Sequence, residues 1–484
     1  MANDMFILSL PFEPSALLLE IMMAILAMLV LVLGIIIPKA SRHGLGWFSF
    51  LGILGIIGIA ILSWGDQREL LDGMFLIDNY ALFWKITFLS AAALVILGCM
   101  RFVDNMGNVS EYYSLTLFAT LGMMVMASAG DFITFYLGLE LMTLSFVILV
   151  CFRKKDAKSV EAGIKYLLLA GMSSAVLLYG LSLIYGLTGS ITILEVGRII
   201  ATQPVSPALI LAVVMVIAGL GFKISAVPFH MWSPDVYEGA PTPVTAFLAV
   251  GSKAASFAII LRLFIAGLPG IWEQWVMVIA ILAAITIILG NLVAIPQTNI
   301  KRMLAYSSIA QAGYIMVGML TASEAGIKGV MFYAFLYVFA TMAAFTVVAY
   351  YYNVTGSDEL KDYGGLAQRS PLLAAVMLVA LLSMAGIPPL AGFAGKFYLF
   401  SSIVDDYLWL VFIGLIMSMV SVYYYLRVAL VMYRDDPVDP TPISVTSPVA
   451  VALVFATLAT IIIGVWPGPL SEVVNNAAHT FFMH

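Results

Sequence analysis

Five ionisable side chains stand inside apolar stretches of this 484-residue sequence: Glu140, Lys223, Lys253, Lys396 and Lys165. Each charged residue at the centre of a membrane helix costs about 2.5–3.5 kcal/mol, so five cost about 12–18 kcal/mol. That sum is comparable to the whole stability of a domain. We therefore expect these residues to have a function, because a buried lysine beside a protonatable carboxylate can take up and release a proton.

Prolines and polar residues accompany the charges. Pro228 follows Lys223 by five residues, and the pair Pro388-Pro389 precedes Lys396. Proline removes a backbone donor and is expected to break these helices, which frees backbone groups that suit ions or protons. A kink without function is the alternative at either site. The side chains that could hold water between the charges are Ser225, His230, Ser252, Ser256, Tyr306, Ser307, Ser308, Gln311 and Tyr314. For any one of them, a hydrogen bond between helices is the alternative role.

Three other basic residues lie near the ends of apolar segments: Lys85, Arg262 and Arg427. We predict that they extend to the lipid headgroups as anchors. Lys165 could do the same, since it lies about 10 Å from the start of its helix at 1.5 Å per residue. An anchoring role and a proton-carrying role therefore both stay open for Lys165.

The composition indicates a membrane protein. Apolar residues make up 63% of the chain, charged residues 10%, and the mean hydropathy is +1.06, whereas soluble proteins carry about 25% charged residues. A soluble enzyme and a disordered chain are thereby excluded, and the net charge of −5 excludes a nucleic-acid binder. The cysteines and histidines are Cys99, Cys151, His43, His230, His479 and His484. Their spacing fits no zinc or iron–sulfur motif, so we predict no metal and no cofactor in this chain.

Apolar windows long enough to cross a bilayer recur along the whole chain. They lie at 15–37, 45–64, 80–100, 112–130, 131–151, 159–186, 207–232, 243–266, 274–295, 301–320, 325–352, 372–401, 407–432 and 447–466. Gly130-Asp131 predicts a tight turn between the fourth and fifth windows. Asp4 and Glu13 precede the first window without a basic residue, so no signal peptide is expected there. The predicted fold class is an all-α membrane protein of about 14 transmembrane helices, with 1–484 as a single membrane domain.

Basic residues are distributed unequally between the loops, numbered in order. The odd loops hold Lys39, Arg42, Arg101, Arg153, Lys154, Lys155, Lys158, Lys301, Arg302, Lys361, Arg369 and Arg434, and the even loops hold Arg68, Arg198 and Lys328. The positive-inside rule then places the odd loops in the cytoplasm. With an even number of spans, both termini are expected on the outer, periplasmic side.

The order of the spans suggests an internal repeat. Spans 4–8 (112–266) and spans 9–13 (274–432) each place a lysine-bearing, proline-broken helix fourth, as spans 7 and 12. Because five is odd, the second block must run opposite to the first, which is an inverted repeat. Residues 1–111 hold the first three spans, and 447–466 the last.

Three segments carry a resemblance to a known family. They are GLGFKISAVPFHMWSPDVYEGAPTPVTAFLAVGSK (219–253), QTNIKRMLAYSSIAQAGY (297–314) and AGIPPLAGFAGKFY (385–398). The sequence resembles the proton-conducting, antiporter-like subunits of respiratory complex I, the bacterial NADH–quinone oxidoreductase, over nearly the whole chain. The resemblance implies a proton-translocating membrane subunit of a translocase, in the bacterial inner (cytoplasmic) membrane, which couples electron transfer in other subunits to proton movement.

The resemblance also implies residue roles. Glu140 and Lys223 would form the charged pair of the first half-channel, Lys253 the central site and Lys396 the exit-side site, while Lys165 matches a further family lysine. Gln311 departs from the pattern, because many relatives have histidine there, and glutamine cannot carry a proton charge.

The implied partners are the lipid bilayer and other membrane subunits, resembling subunits A, H, J, K, L and M. NADH, FMN, iron–sulfur clusters and quinone are expected in other subunits of the complex. The alternatives are a subunit of an Mrp-type cation/proton antiporter, whose motifs overlap, and a passive membrane scaffold with inert buried charges.

Overall fold

The structure, a computed structural model, describes residues 14–38, 41–437 and 439–482. The predictions that involve Asp4, Glu13, Lys39 and His484 lie outside the described residues. Within them the chain forms the α-helices α1 Leu18–Ile36, α2 Gly44–Leu62, α3 Asn79–Asp104, α4 Val109–Ser128, α5 Phe132–Val150, α6 Ala157–Thr188, α7 Ile193–Thr202, α8 Pro207–Ile224, α9 Trp232–Gly239, α10 Thr242–Phe247, α11 Lys253–Leu261, α12 Trp272–Ala294, α13 Ile300–Val317, α14 Glu324–Thr355, α15 Leu366–Arg369, α16 Pro371–Ala385, α17 Ala391–Ser401, α18 Leu408–Arg434, α19 Ser447–Val465 and α20 Gly468–Phe481.

Shorter elements complete the described chain. Two π-helical segments, Leu248–Ser252 and Arg262–Ala266, flank α11, and 3-10 turns lie at Pro14–Leu17, Pro269–Ile271 and Leu360–Tyr363. The strands β1 Arg68–Leu70 and β2 Phe75–Ile77 pair in antiparallel register. The prediction of an all-α chain missed this hairpin, as the span windows missed α7 and α20. None of the three is long and apolar enough to cross a bilayer.

The membrane character of the fold is confirmed. Eleven described helical segments are long and apolar enough to span a bilayer. Helices α4 and α13 and the broken pair α16 and α17 do not meet that test, so the count of 14 stays a prediction. The predicted turn at Gly130-Asp131 is present, because the Asp131 side chain accepts hydrogen bonds from Ile133 N at 2.7 Å and Thr134 N at 3.1 Å and starts α5.

Both predicted helix breaks are present. Helix α8 ends at Ile224, where Ser225 adopts a left-handed conformation with φ of 60°, and α9 begins only at Trp232. Helix α16 ends at Ala385, Gly386 has φ of 87°, and α17 begins at Ala391. A left-handed backbone conformation commonly ends a helix and is most easily adopted by glycine. Pro228 lies in the first interruption, and Pro388-Pro389 lie in the second.

The interior of the fold is built from three segments. Helix α3, the continuous segment 242–266 and helix α14 are buried along most of their length. Helix α4 packs on α5, α6 on α8, and α12 on α13. Lys253 therefore stands in the most enclosed segment of the described chain, at the junction between a π-helical turn and α11. Such π-helical insertions are frequent at functional sites.

Candidate functional site

Lys253 is almost fully enclosed by protein, with 3% of its surface exposed. Its Nζ donates to the backbone oxygen of Ser308 at 2.7 Å and to Ser308 Oγ at 2.5 Å, both on α13. The Tyr237 ring of α9 lies 6.0 Å from the same nitrogen. No carboxylate of the described residues forms an ion pair with Lys253, so its ammonium group is stabilised by dipoles and a ring.

Lys396 is also buried, at 5% exposure, and lies in α17 just after the second break. Its Nζ donates to the carbonyl oxygens of Met384 at 3.2 Å and Ala385 at 3.0 Å and to Ser418 Oγ at 2.7 Å. Those carbonyls end α16, and they also accept hydrogen bonds from Gln311 Nε2 and from Ser418 Oγ. A cation at a helix C-terminus is favoured by the helix dipole.

Polar side chains on α13, α14 and α18 fill the space between these two lysines. Gln311 Nε2 donates to the Met384 carbonyl at 3.0 Å, which is the oxygen that Lys396 also uses, and to Tyr425 Oη at 3.3 Å. Tyr425 Oη and Ser307 Oγ share a hydrogen bond of 2.5 Å, and Tyr333 Oη donates to Gln311 Oε1.

We call this set the central polar row. It consists of Lys253, Ser308, Ser307, Tyr425, Gln311, Tyr333, the Met384 carbonyl and Lys396. Ser307 and Ser308 are consecutive residues, so the row runs from one lysine to the other through hydrogen bonds and one peptide step. Tyr425 and Tyr333 were not predicted from the sequence. A buried tyrosine usually needs a hydrogen-bond partner for its hydroxyl group, so buried tyrosines are suited to such a row.

Lys223 and Glu140 lie close but do not form the predicted direct ion pair. Lys223, at 1% exposure in the last turn of α8, donates from Nζ to Thr143 Oγ1 at 2.8 Å. Half-buried Glu140 instead accepts at Oε1 from Ser174 Oγ at 2.6 Å. Thr143 follows Glu140 by three residues and shares its helix face, so it occupies the position between the two charges. The Glu140 carboxylate still acts electrostatically on the Lys223 ammonium group.

Lys165 is not buried, which corrects the expectation that all five charges lie inside. Its side chain is 42% exposed and forms ion pairs with Glu161 at 2.8 Å and Asp235 at 2.9 Å. Asp235 also pairs with Arg302 at 2.8 Å. Burial alone would raise the pKa of Asp235, but hydrogen bonds from Lys165 and Arg302 lower it below its ordinary value. We call Lys158, Glu161, Lys165, Asp235, Glu238 and Arg302 the Asp235 cluster.

The supporting residues predicted from the sequence occupy different places. His230 is buried within the first break, and its Nδ1 lacks a hydrogen-bond partner among the described residues. Tyr306 is half-buried on α13 and interacts electrostatically with Arg302 of the Asp235 cluster. Arg302 is not one of the predicted proton carriers. Pro228, Pro388 and Pro389 are exposed and contribute by shaping the two breaks.

The predicted anchors are wrong for two of the three residues. Lys85, at 1% exposure, forms a buried ion pair with Glu20 of α1 at 2.7 Å. Arg262, at 5% exposure, donates from Nη2 to both carboxylate oxygens of Asp78, at 2.9 and 2.8 Å.

These pairs replace lipid headgroups with acids from distant helices. Glu20 stands inside the first apolar window. An acidic residue at that depth is the sequence feature that could have indicated a basic partner in a neighbouring span. Arg427, the third predicted anchor, is half-buried and donates to the carbonyls of Ile295 and Gln297 beyond the end of α12, at 2.7 and 2.5 Å.

Metal binding finds no support in the described part of the chain. There, no group of three or more histidine, cysteine, aspartate or glutamate side chains is placed to hold an ion. The absence of a cofactor stays a prediction.

Comparisons with known proteins agree with this geometry. Residues 129–421 match the family described as NADH:quinone oxidoreductase/Mrp antiporter, TM. The NADH-quinone oxidoreductase subunit N of Desulforamulus reducens is 66% identical over 465 residues, which is 96% of this chain and 98% of that protein. A chain of respiratory complex I from Thermus thermophilus with bound aureothin has a TM-score of 0.80 and 32% identity, over 94% of this chain and 98% of its own length.

An Mrp antiporter is a more distant match. A chain of the Mrp complex from Dietzia sp. has a TM-score of 0.84 at 20% identity, over 97% of this chain and 98% of that one, and this likeness shows the fold alone. The chain therefore belongs to the subunit N family of NADH-quinone oxidoreductases, within the NADH:quinone oxidoreductase/Mrp antiporter transmembrane family.

Proposed function

We propose that the chain conducts protons across the membrane as a subunit of NADH–quinone oxidoreductase, driven by electron transfer from NADH to quinone in other subunits. The observation that supports the proposal is the central polar row, in which two buried lysines are joined by hydrogen-bonding side chains. A buried ammonium group without an ion-pair partner among the described residues is costly. Function explains such a pair of lysines better than packing does.

The proposed proton carriers are Glu140, Lys223, Lys253 and Lys396. A charge that arrives at one of them, or leaves it, changes the proton affinity of the next, because neighbouring titrations are coupled. Glu140 and Lys223 receive the proton in the first half, Lys253 connects the halves, and Lys396 passes it on. In this proposal His230, Tyr306 and Gln311 support the path by holding water or by orienting neighbouring side chains.

The energy source lies outside this chain in our proposal. NADH, FMN, iron–sulfur clusters and quinone are held by other subunits, and this subunit has no redox site. The membrane partners resemble subunits A, H, J, K, L and M. The chain would lie in the bacterial inner membrane as 14 spans, with both termini in the periplasm and with 112–266 and 274–432 as inverted repeats. The similar breaks in predicted spans 7 and 12 support the repeat.

Substitutions at Lys253 test the proposal in the assembled complex. Lys253→Met removes the proton site, and Lys253→Arg keeps the charge but cannot release a proton at physiological pH. Both variants should lose most NADH-driven acidification of sealed membrane vesicles. The control is Lys155→Met, because Lys155 is exposed in the loop before α6. Wild-type acidification by a fully assembled Lys253→Arg complex would refute a proton-releasing role.

A cation/proton antiporter of the Mrp type is the second candidate, favoured by the fold of the Dietzia chain alone. Purification of the chain from native membranes separates the two candidates. Copurification of the NADH-oxidising and quinone-reducing subunits supports the first, and their replacement by antiporter subunits supports the second. If the chain were a passive scaffold, complexes with every Lys253 variant would acidify the vesicles at the wild-type rate.

A further inference from the structure

The short helix α9 lies between two of the proposed proton carriers. At its start, Trp232 Nε1 donates to the carbonyl of Phe222 at 2.9 Å, and Phe222 is the residue before Lys223. Near its end, the Tyr237 ring faces Lys253 at 6.0 Å. A shift of α9 would therefore change the surroundings of both lysines at once.

Charged side chains from two other helices hold α9 through its acids. Asp235 is bound by Lys165 of α6 at 2.9 Å and by Arg302 of α13 at 2.8 Å. Arg302 also reaches Glu238 at 3.2 Å, and Lys158 lies 3.4 Å from the other oxygen of Glu238. Arg302 thereby bridges two acids that stand on the same face of α9, three residues apart.

Close packing reinforces these ion pairs. Lys301 Nζ donates to the carbonyl of Ala240 at 2.9 Å, directly after the end of α9. A Cβ atom at Gly239 would lie 2.6 Å from the Lys158 carbonyl oxygen, so only glycine permits this approach of α9 to α6. The position of α9 is therefore set from α6 and α13 together.

We propose that Lys165 and Arg302 are positioning residues, which fix α9 between Lys223 and Lys253 by binding Asp235. This inference rests on the proposed proton-conducting function and assigns Lys165 a role other than proton carrier. The side chain of Lys165 is 42% exposed and has two carboxylate partners, whereas Lys223, Lys253 and Lys396 are buried and make no ion pair with a described residue. Its surroundings favour a permanent charge.

Lys165→Arg and Lys165→Met in the whole complex separate the two roles. An arginine can keep the ion pair with Asp235 but cannot release a proton. Lys165→Arg should therefore retain NADH-driven acidification per assembled complex within about twofold, while Lys165→Met should lower it about two- to fivefold, as expected for a partly exposed ion pair. Lys155→Met is the matched control for loss of a nearby charge.

A double-mutant cycle tests whether Lys165 acts through Asp235. If it does, adding Lys165→Met to Asp235→Asn changes the rate no further, because the partner is already gone. An arginine variant as slow as Lys165→Met, or a full additional loss in the double variant, would overturn the positioning role. So would an unchanged rate in Lys165→Met.

The result for Lys253→Arg keeps the two proposals apart. Wild-type acidification in that variant contradicts proton conduction through Lys253, whatever the Lys165 variants do. Loss of acidification in both Lys253→Arg and Lys165→Arg is consistent with the proposal of proton conduction and refutes only the positioning role of Lys165. Where Asp235→Asn does not assemble, the comparison of Lys165→Arg with Lys165→Met decides alone.

Discussion

Replacing Lys85 by methionine should destabilise the protein, because it removes one partner of the buried ion pair that links α3 to α1. Lys85 Nζ lies 2.7 Å from Glu20 Oε1, and the two side chains are 2% and 9% exposed. Beyond this ion pair, neither carboxylate oxygen of Glu20 has a hydrogen-bond partner among the described residues. Lys85→Met would therefore leave a buried carboxylate without a countercharge.

The size of the effect follows from that environment. Removing one partner of a buried ion pair costs about 3–5 kcal/mol. We expect a loss of about 3–4 kcal/mol, a large fraction of the roughly 5–15 kcal/mol that stabilises a typical domain. A headgroup anchor at the same position would cost about 1 kcal/mol or less.

Cys99 offers a built-in probe of this change. It lies on α3, as Lys85 does, and is 2% exposed. Thiol alkylation of Cys99 therefore requires local opening of α3, which can be followed in the purified complex by mass spectrometry of the Cys99 peptide. A loss of about 3 kcal/mol corresponds to about a hundredfold faster alkylation. Half-buried Cys151 serves as the internal reference.

A double variant supplies the control for the buried pair. Glu20→Leu together with Lys85→Met replaces both charges by apolar side chains, which is often neutral or stabilising. Cys99 should then be alkylated about as slowly as in the wild type. An alkylation rate in Lys85→Met within about threefold of the wild type would refute the reasoning, since it would match an exposed anchor.

Two other predictions concern the path and the orientation. Gln311→Leu should slow NADH-driven vesicle acidification severalfold, because Gln311 forms hydrogen bonds with Tyr333, Tyr425 and the Met384 carbonyl. Gln311→His should keep more of the rate. A wild-type rate in the Gln311→Leu complex would show that this residue is not part of the path. A cysteine introduced at Lys155 should react with an impermeant reagent only from the cytoplasmic side and one at Asp405 only from the periplasm, and the reverse pattern would overturn the predicted topology.

Hydropathy and proline placement predicted the elements of this fold well. The windows at 131–151 and 274–295 differ from α5 and α12 by one or two residues at each end. Both breaks appear at the predicted prolines. The burial of Lys223 and Lys253 followed from their depth along the windows, because a position many residues from both ends of an apolar segment cannot reach water easily. Lys396 lies near the end of its window and was predicted instead from its place after the Pro388-Pro389 break.

Partners across helices could not be predicted in the same way. Arg262 lies four residues before the end of its window, which indicates an anchor, but Asp78 from the start of α3 reaches it instead. The prediction of a direct Glu140–Lys223 ion pair was wrong for a related reason. Linear spacing places both residues at similar depth, yet the rotation of α5 presents Thr143 to Lys223, and no single-sequence pattern reports rotation about a helix axis.

The two breaks are similar in backbone and different in chemistry. At the second break, Lys396 binds the final carbonyls of α16 and joins the central polar row. At the first, Trp232 of α9 binds the Phe222 carbonyl, and Lys223 binds Thr143.

The difference leaves the first half of the path without a continuous connection. No hydrogen bond between described residues links Lys223 to Lys253, whereas hydrogen bonds and one peptide step join Lys253 to Lys396. Proton transfer through the first half therefore needs water or a movement at the break, near His230, whose Nδ1 has no hydrogen-bond partner in the described part of the chain. The element next to that gap is α9, which the Asp235 cluster holds in place. The ion pairs of that cluster would then control the step that the hydrogen bonds leave open.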